Sequence, residues 1–181
     1  MKKILFASAA VAAVLIAAPA AAQSTAPVGA RVEGVIGYDK VKALGEDDGG
    51  VLYGLGVGYD FAVAPSVSLG IDGEVTDSTQ EVGDEDVAQV KSGRDLYAGA
   101  RANFAVSPTA NLYVKGGYTN ARFKATDGID TVAENFDGYR LGAGGQMAVS
   151  GKAYVGAEYR YSNYEHGLSR NQVALTAGTR F

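Results

Sequence analysis

Gln172–Phe181 reads QVALTAGTRF. Val173, Leu175, Ala177 and Thr179 alternate with Gln172, Ala174, Thr176, Gly178 and Arg180, and the aromatic Phe181 falls in the first of these sets. A period of two belongs to a β-strand with two unlike faces. Chain ends generally fray unless something ties them down, so a strand pattern carried to a terminal aromatic predicts an end held in a sheet.

The same period recurs upstream. In RVEGVIGYD from Arg31, Val32, Gly34, Ile36 and Tyr38 alternate with Arg31, Glu33, Val35, Gly37 and Asp39. In LYGLGVGYDF from Leu52, Tyr53, Leu55, Val57, Tyr59 and Phe61 alternate with Leu52, Gly54, Gly56, Gly58 and Asp60. VSLGIDGEVT, DLYAGARANF, LYVKGGYT, GYRLGAGGQMAV and AYVGAEYRYS split in the same way. Together with the C-terminal stretch they predict eight strands of about ten to thirteen residues, each long enough to reach roughly 25–33 Å along a membrane normal at a tilt near 40°. No stretch after Gln23 shows helical periodicity.

Residues 1–22 differ in kind. Lys2 and Lys3 precede an apolar run from Ile4 to Ala18, and Ala20, Ala21 and Ala22 follow Pro19. A short basic start, an apolar middle and small residues at a cleavage point make a secretory signal, and the run is short for a helical span. Cleavage after Ala22 predicts one domain over residues 23–181 and shifts the formal charge from −4 to −6, because Lys2 and Lys3 leave with the signal. A mildly acidic chain is a poor match for nucleic acid. With no cysteine, disulfides and thiolate metal sites are excluded.

Connections carry more weight than any one strand. Tight turns are predicted at VAPS around Pro65, AVSPTA around Pro108 and SGK around Gly151, and longer connections at about 41–50, 78–91, 124–136 and 163–169. Short and long alternate strictly. An up-and-down sheet with all short turns on one side and all long loops on the other is the plan of an outer-membrane barrel.

The faces agree with that plan. One face of each strand is aliphatic or aromatic, while the other carries Arg31, Glu33, Asp72, Glu74, Asp95, Arg101, Lys115, Arg140, Glu158 and Arg160. Charges facing a soluble core would be costly, whereas a narrow barrel can pair them inside while lipid takes the apolar face. A soluble lipocalin-like barrel is the rival fold and would reverse the two faces. Aromatics gather near the strand ends: Tyr38, Tyr53, Tyr118, Tyr139 and Tyr161 toward the long loops, and Tyr59, Phe61, Phe104 and Phe181 toward the short turns. Two interfacial belts have this distribution.

LYVKGGYTNARFK from Leu112, FDGYRLGAGGQ from Phe136, AEYRYSNYE from Ala157 and the final VALTAGTRF resemble, together and in order, the opacity-protein or porin-family surface antigens. These are small barrels related to the membrane domain of outer-membrane protein A. The resemblance implies an all-β, eight-stranded antiparallel transmembrane barrel with its loops at the cell surface. It also implies that Phe181 is a recognition signal for the outer-membrane assembly machinery. The resemblance does not imply the wall-binding domain with which outer-membrane protein A continues, and the loops are modest beside those of opacity adhesins.

Three functions follow as alternatives. Eight strands enclose an interior that side chains just fill, which favours a plugged barrel with a structural and surface-contact role, embedded in lipid and lipopolysaccharide as a monomer. Arg31 and Glu33 face Asp72 and Glu74 across Gly54, Gly56 and Gly58, so ion pairs are expected there, and a narrow ion path is the second reading. A lipid A-modifying enzyme is the third, with His166, Ser162, Glu165 and Ser169 as its ingredients. The acidic stretches with Asp77, Glu81, Asp84, Glu85 and Asp86, and with Asp127, Asp130 and Glu134, lack EF-hand spacing and predict solvated loops rather than a metal site. No cofactor motif is present, since the G-x-G strings lie inside strands.

Overall fold

The computed structural model describes residues 25–43, 46–79, 81–82, 89–127, 130–165 and 168–181. Among them are nine strands: β1 (Gly29–Ala43), β2 (Glu46–Ala64), β3 (Val67–Ser78), β4 (Glu81–Val82), β5 (Gln89–Ala105), β6 (Ala110–Asp127), β7 (Asp130–Ser150), β8 (Ala153–Tyr164) and β9 (Ser169–Arg180). All pairings are antiparallel. The two-residue β4 pairs with β5 through Glu81↔Lys91, on the same edge that β3 occupies through Thr76↔Asp95. Nine strands therefore make eight staves, and the β1–β9 ladder, from Arg31↔Arg180 to Lys42↔Ser169, closes them into a barrel.

The short turns fall where proline, serine and glycine predict them. Pro65 and Ser66 join β2 to β3. In the β5–β6 turn Ser107 Oγ accepts the Ala110 N–H at 3.0 Å and the Thr109 N–H at 3.3 Å. Gly151 opens the β7–β8 turn at φ +55°, left-handed backbone that suits glycine. At the same end the Ala26 N–H donates to Pro65 O at 2.8 Å, and the Phe181 N–H donates to Ala30 O at 2.9 Å.

The longer connections depart from expectation. Pairing continues to Ala43↔Glu46 and to Asp127↔Asp130, so most of 41–50 and 124–136 is strand. β2 has 19 residues and β7 has 21, well beyond the ten to thirteen expected. The hydropathy pattern stops at the edge of the apolar band, but a ladder needs only backbone hydrogen bonds. Beyond the band the outer face carries Lys40, Arg122 and Asp137, and the strands run on.

Burial is reversed relative to a soluble sheet. On β3, Ser68, Asp72, Glu74, Thr76 and Ser78 are buried, while Leu69, Ile71 and Val75 are exposed. Leu55 is 64% exposed and Arg140 and Arg160 are 0% exposed, the opposite of a lipocalin-like barrel. An apolar surface this extensive is stable only against lipid.

Inward glycines let the charged layer fit. A methyl group at Gly58 would lie 2.7 Å from Ile71 O and collide with the Arg31 guanidinium. A methyl at the outward-facing Gly73 would meet only Val57 Cγ2, at 3.7 Å. Gly58→Ala should therefore cost about 1–3 kcal/mol, and Gly73→Ala close to nothing. The temperature at which the fast-migrating folded band is lost on a denaturing gel measures the difference.

A charged lumen as the candidate functional site

Inward-facing side chains on the eight staves meet in three tiers. Toward the short turns, Arg31 Nε lies 3.1 Å from Asp60 Oδ2, and Arg31 also pairs with Asp72. Arg101 lies 3.0 Å from Asp72 and 3.4 Å from Glu33, and Arg180 reaches Asp60. Asp60 also accepts from Asn103 Nδ2 at 3.0 Å. Glu33 accepts from Tyr154 Oη at 2.8 Å.

In the middle tier Glu74 and Glu158 sit among three cations. Lys115 Nζ lies 2.8 Å from Glu158 and 3.1 Å from Glu74, and Arg160 contacts both carboxylates. Arg140 lies 3.5 Å from Glu74. Arg140 then reaches the third tier, where it pairs with Asp95 and its Nε donates to Ser162 Oγ at 2.9 Å. Asp95 also holds Arg170 at 3.2 Å and accepts from Thr119 Oγ1 at 2.6 Å and Tyr164 Oη at 2.8 Å. Arg170 completes the tier through Asp39.

Tyrosines link the tiers. The Arg101 guanidinium lies 4.1 Å from the centre of the Tyr113 ring, whose hydroxyl donates to Glu158 at 2.6 Å, joining the first tier to the second. Lys115 and Arg140 lie over Tyr97 at 5.1 and 5.4 Å, and Arg180 over Tyr154 at 5.2 Å. These are cation–π distances. Each of these rings lies against a glycine. A methyl on Gly144 would fall 2.7 Å from Tyr113 Cζ, one on Gly178 2.7 Å from Tyr154 Oη, and one on Gly138 2.9 Å from Tyr164 Cδ1. Tyr97 leans over Gly99 in the same way.

All ten charges singled out in the sequence are buried in this lumen. Sequence reasoning missed Asp39, Asp60, Arg170 and Arg180, although their phase was legible: Asp39 follows Glu33 by six, Asp60 alternates with Phe61, and Arg180 with Phe181. Arg170 escaped because β9 begins at Ser169, three residues before the pattern becomes clear. The four lumen tyrosines were missed as well, although Tyr97 is in phase with Asp95, Tyr113 with Lys115, and Tyr154 and Tyr164 with Glu158 and Arg160. Among the described residues the lumen thus holds Arg31, Arg101, Lys115, Arg140, Arg160, Arg170 and Arg180 against Glu33, Asp39, Asp60, Asp72, Glu74, Asp95 and Glu158, seven of each sign.

On the outer surface Tyr38, Tyr53, Tyr118 and Tyr139 are exposed toward the strand extensions, with Tyr161 half-buried. Tyr118 and Tyr139 face each other across β6 and β7. Tyr159, absent from the sequence expectation, is also exposed and donates to Asn171 Oδ1 at 2.7 Å. Tyr59, Phe61 and Phe181 are exposed toward the short turns, with Phe104 half-buried.

Of the residues considered for catalysis, Ser162 is turned into the lumen on Arg140, Glu165 is exposed and Ser169 is half-buried. His166 lies outside the described residues, as do Asp84, Glu85 and Asp86 and the side chains of Glu81, Asp127 and Asp130. Asp77 is half-buried, its Oδ1 accepting the Ser78 N–H at 2.8 Å, and Glu134 is exposed.

Removing one partner of a fully buried charge pair strands the other. Arg140→Ala takes a guanidinium from Asp95, Glu74 and Ser162 together and should cost about 3–5 kcal/mol, with Arg140→Lys losing less. The urea midpoint for loss of the folded band reads both.

The chain matches the outer membrane protein beta-barrel domain family over residues 7–181. No curated protein matches it. Its fold is similar to that of Ail, the attachment invasion locus protein of Yersinia pestis, solved with the heparin analogue sucrose octasulfate (17% identity, TM-score 0.64, covering 84% of this chain and 99% of that one). It is similar to Neisserial surface protein A (14% identity, TM-score 0.65, 84% and 97% covered). The outer membrane enzyme PagL shares the fold more distantly (18% identity, TM-score 0.51, 83% and 99% covered). Identities this low carry the fold and nothing of the chemistry. A closed inside-out barrel matched over nearly its whole length places this protein in the bacterial outer membrane, as a member of the outer membrane protein beta-barrel domain family.

Proposed function

We propose that the protein is a plugged, monomeric outer-membrane barrel with a structural and surface-contact role. The observation that carries this reading is the lumen. Among the described residues equal numbers of opposite charges pair across it in three connected tiers, with four tyrosines wedged between them. A conducting path needs groups that exchange an ion, whereas these groups hold one another. Surface contact then falls to the strand extensions beyond the upper tyrosines.

A narrow ion path is the second reading, and one feature favours it. The side-chain polar atoms of Gln172, Thr76 and Thr176 are buried and have no protein partner, beside the apolar cluster of Val35, Leu52 and Ala174. Buried polar atoms take water where protein offers nothing, and a water file is the route an ion would use. An enzymatic role is weaker. Although PagL shares the fold, Ser162 serves Arg140 in the lumen and is not presented at the membrane edge.

Export rests on residues 1–22, with cleavage after Ala22. Assembly rests on β9 and the Phe181 that follows it, since Val173, Leu175 and Phe181 are exposed on the outer face where the outer-membrane assembly machinery would read them.

Planar bilayers doped with purified protein should show no discrete conductance steps, and a steady single-channel current would establish the ion path instead. Single cysteines can be placed cleanly in a chain that has none. Glu134→Cys should react with an impermeant maleimide in intact cells and Lys152→Cys should not; the reverse pattern would invert the proposed orientation. N-terminal sequencing of the mature protein should begin at Gln23.

A further inference from the structure

The short-turn end of the barrel holds a segment that the sheet does not account for. The β1–β2 ladder ends at Gly29↔Asp60, although β2 runs on to Ala64. Continued in register, Ala26 would face Val63. Instead the chain leaves the ladder at Gly29, whose φ of +98° is left-handed backbone, and the Ala26 N–H donates to Pro65 O at 2.8 Å. Ala26 is 3% exposed, whereas Ala62, Val63 and Ala64 at the end of β2 are all exposed. The chain before Gly29 therefore turns inward and does not continue along the wall.

Thr25 and Pro27 mark where it goes. They line a pocket of about 240 Å³ together with Ser107 of the β5–β6 turn, Lys152 of the β7–β8 turn and Arg180. The β5–β6 turn stands across the barrel from β1, with β2 and β3 between them on one side and β7, β8 and β9 on the other. A segment that starts beneath β1, bonds to the β2–β3 turn and shares a pocket with the other two short turns lies across the mouth. Asn111 and Gln146 also line this pocket, and Arg180 reaches from it into the lower tier through Asp60 and Gln146 Oε1. Among the described residues the buried Asn111 Nδ2 has no partner, and the pocket has room for waters to serve it.

Little holds the segment in place. Thr25, Ala26, Pro27 and Val28 carry no charged side chain, so no ion pair ties them down. What holds them among the described residues is the hydrogen bond to Pro65 and the burial of the Ala26 methyl. The other backbone bonds of the rim join strands that the sheet already pairs: the Ala105 N–H to Ser66 O at 2.8 Å, the Ala148 N–H to Thr109 O at 2.7 Å and the Arg180 N–H to Lys152 O at 3.1 Å. The segment can therefore leave without opening a stave. Gly29 is its hinge, since a methyl there would collide with Phe181 O while the Phe181 N–H stays fixed to Ala30 O. We propose that Thr25–Val28 form a strap, hinged at Gly29, that shuts the short-turn mouth of the lumen. Its release admits water-soluble molecules as far as the lower charge tier, and the middle and upper tiers stay closed.

The test uses the mature protein in nanodiscs of phosphatidylcholine, with Ala105→Cys as the probe. Ala105 lines the pocket, is 8% exposed and sits in a chain without cysteine. Its rate of reaction with a small water-soluble methanethiosulfonate is compared in the full mature chain, in a chain that begins at Gly29 and in Gly29→Val, with the exposed Lys152→Cys as reference. Removing the strap should speed labelling of the probe at least about ten-fold, as when a site opened only by local fluctuation becomes permanently open, and leave the reference unchanged. Gly29→Val, which cannot keep the left-handed turn, should label like the shortened chain. Asn111→Cys, a smaller side chain than the native one, should repeat the pattern without crowding the strap. Gln172→Cys, deep in the upper tier, should stay unlabelled throughout; labelling there on strap removal would overturn the claim that the upper tiers stay closed. Equal probe rates with and without the strap would overturn the strap, as would equal acceleration of probe and reference. If the shortened chain gives no folded band, Gly29→Val decides alone, and slow labelling in that variant overturns the proposal.

Discussion

The ladder between β1 and β9 is the contact on which the rest of the molecule depends. In hydrocarbon no water is available to satisfy an unpaired N–H or C=O, and each would cost several kcal/mol. An open sheet of eight staves would present two such edges to lipid. Pairing from Arg31↔Arg180 to Lys42↔Ser169 removes both and, by closing the sheet, divides every strand into a lipid face and a lumen face. Alternation in the sequence becomes an inside and an outside only when that seam forms.

Closure creates the second constraint. A lumen enclosed by eight strands admits side chains and little else, so whatever points inward must pack and be neutralised there. The charges meet this demand collectively. Arg140 bridges the middle and upper tiers, and the Arg101–Tyr113–Glu158 chain bridges the lower and middle ones. Buried ion pairs often contribute little net stability beside apolar packing, because desolvation offsets their attraction. Their contribution here is to register and geometry, since a slip of one residue between strands would turn each charge toward lipid. Glycine has the complementary part: Tyr113 over Gly144 and Tyr154 over Gly178 occupy space that any larger residue would fill.

The outer surface obeys a different rule at each height. Within the apolar band, Leu55, Ile71 and Leu175 need only be apolar. At the belts the aromatics need one wet and one dry end, as Tyr159 shows by reaching Asn171. Above the belt the face is free to carry charge, as the exposed Arg94 and Arg122 beside the bulge in β5 show. Ail, Neisserial surface protein A and PagL share the scaffold at identities below 20%. Differences in function among such barrels must reside in these local departures and in the extensions, not in the fold.

Fold class, strand number, short turns and the sense of the two faces were legible in the sequence because each depends on a local property: period two, a proline or glycine at a turn, an aromatic near a strand end. The ten lumen charges were legible for the same reason, as were Asp39 and Asp60 had phase been followed strictly. Strand length was not, because β2 and β7 continue past the apolar band on backbone hydrogen bonds that leave no mark in side-chain polarity. Nor was the choice of partner across the lumen. Arg160 meets Glu74, and Asp95 meets Arg170, only because barrel closure and stagger bring distant strands to one height. The sequence determined which residues face inward, since that follows from alternation alone, while the tertiary structure decided which of them touch, since that depends on register between strands far apart in the chain.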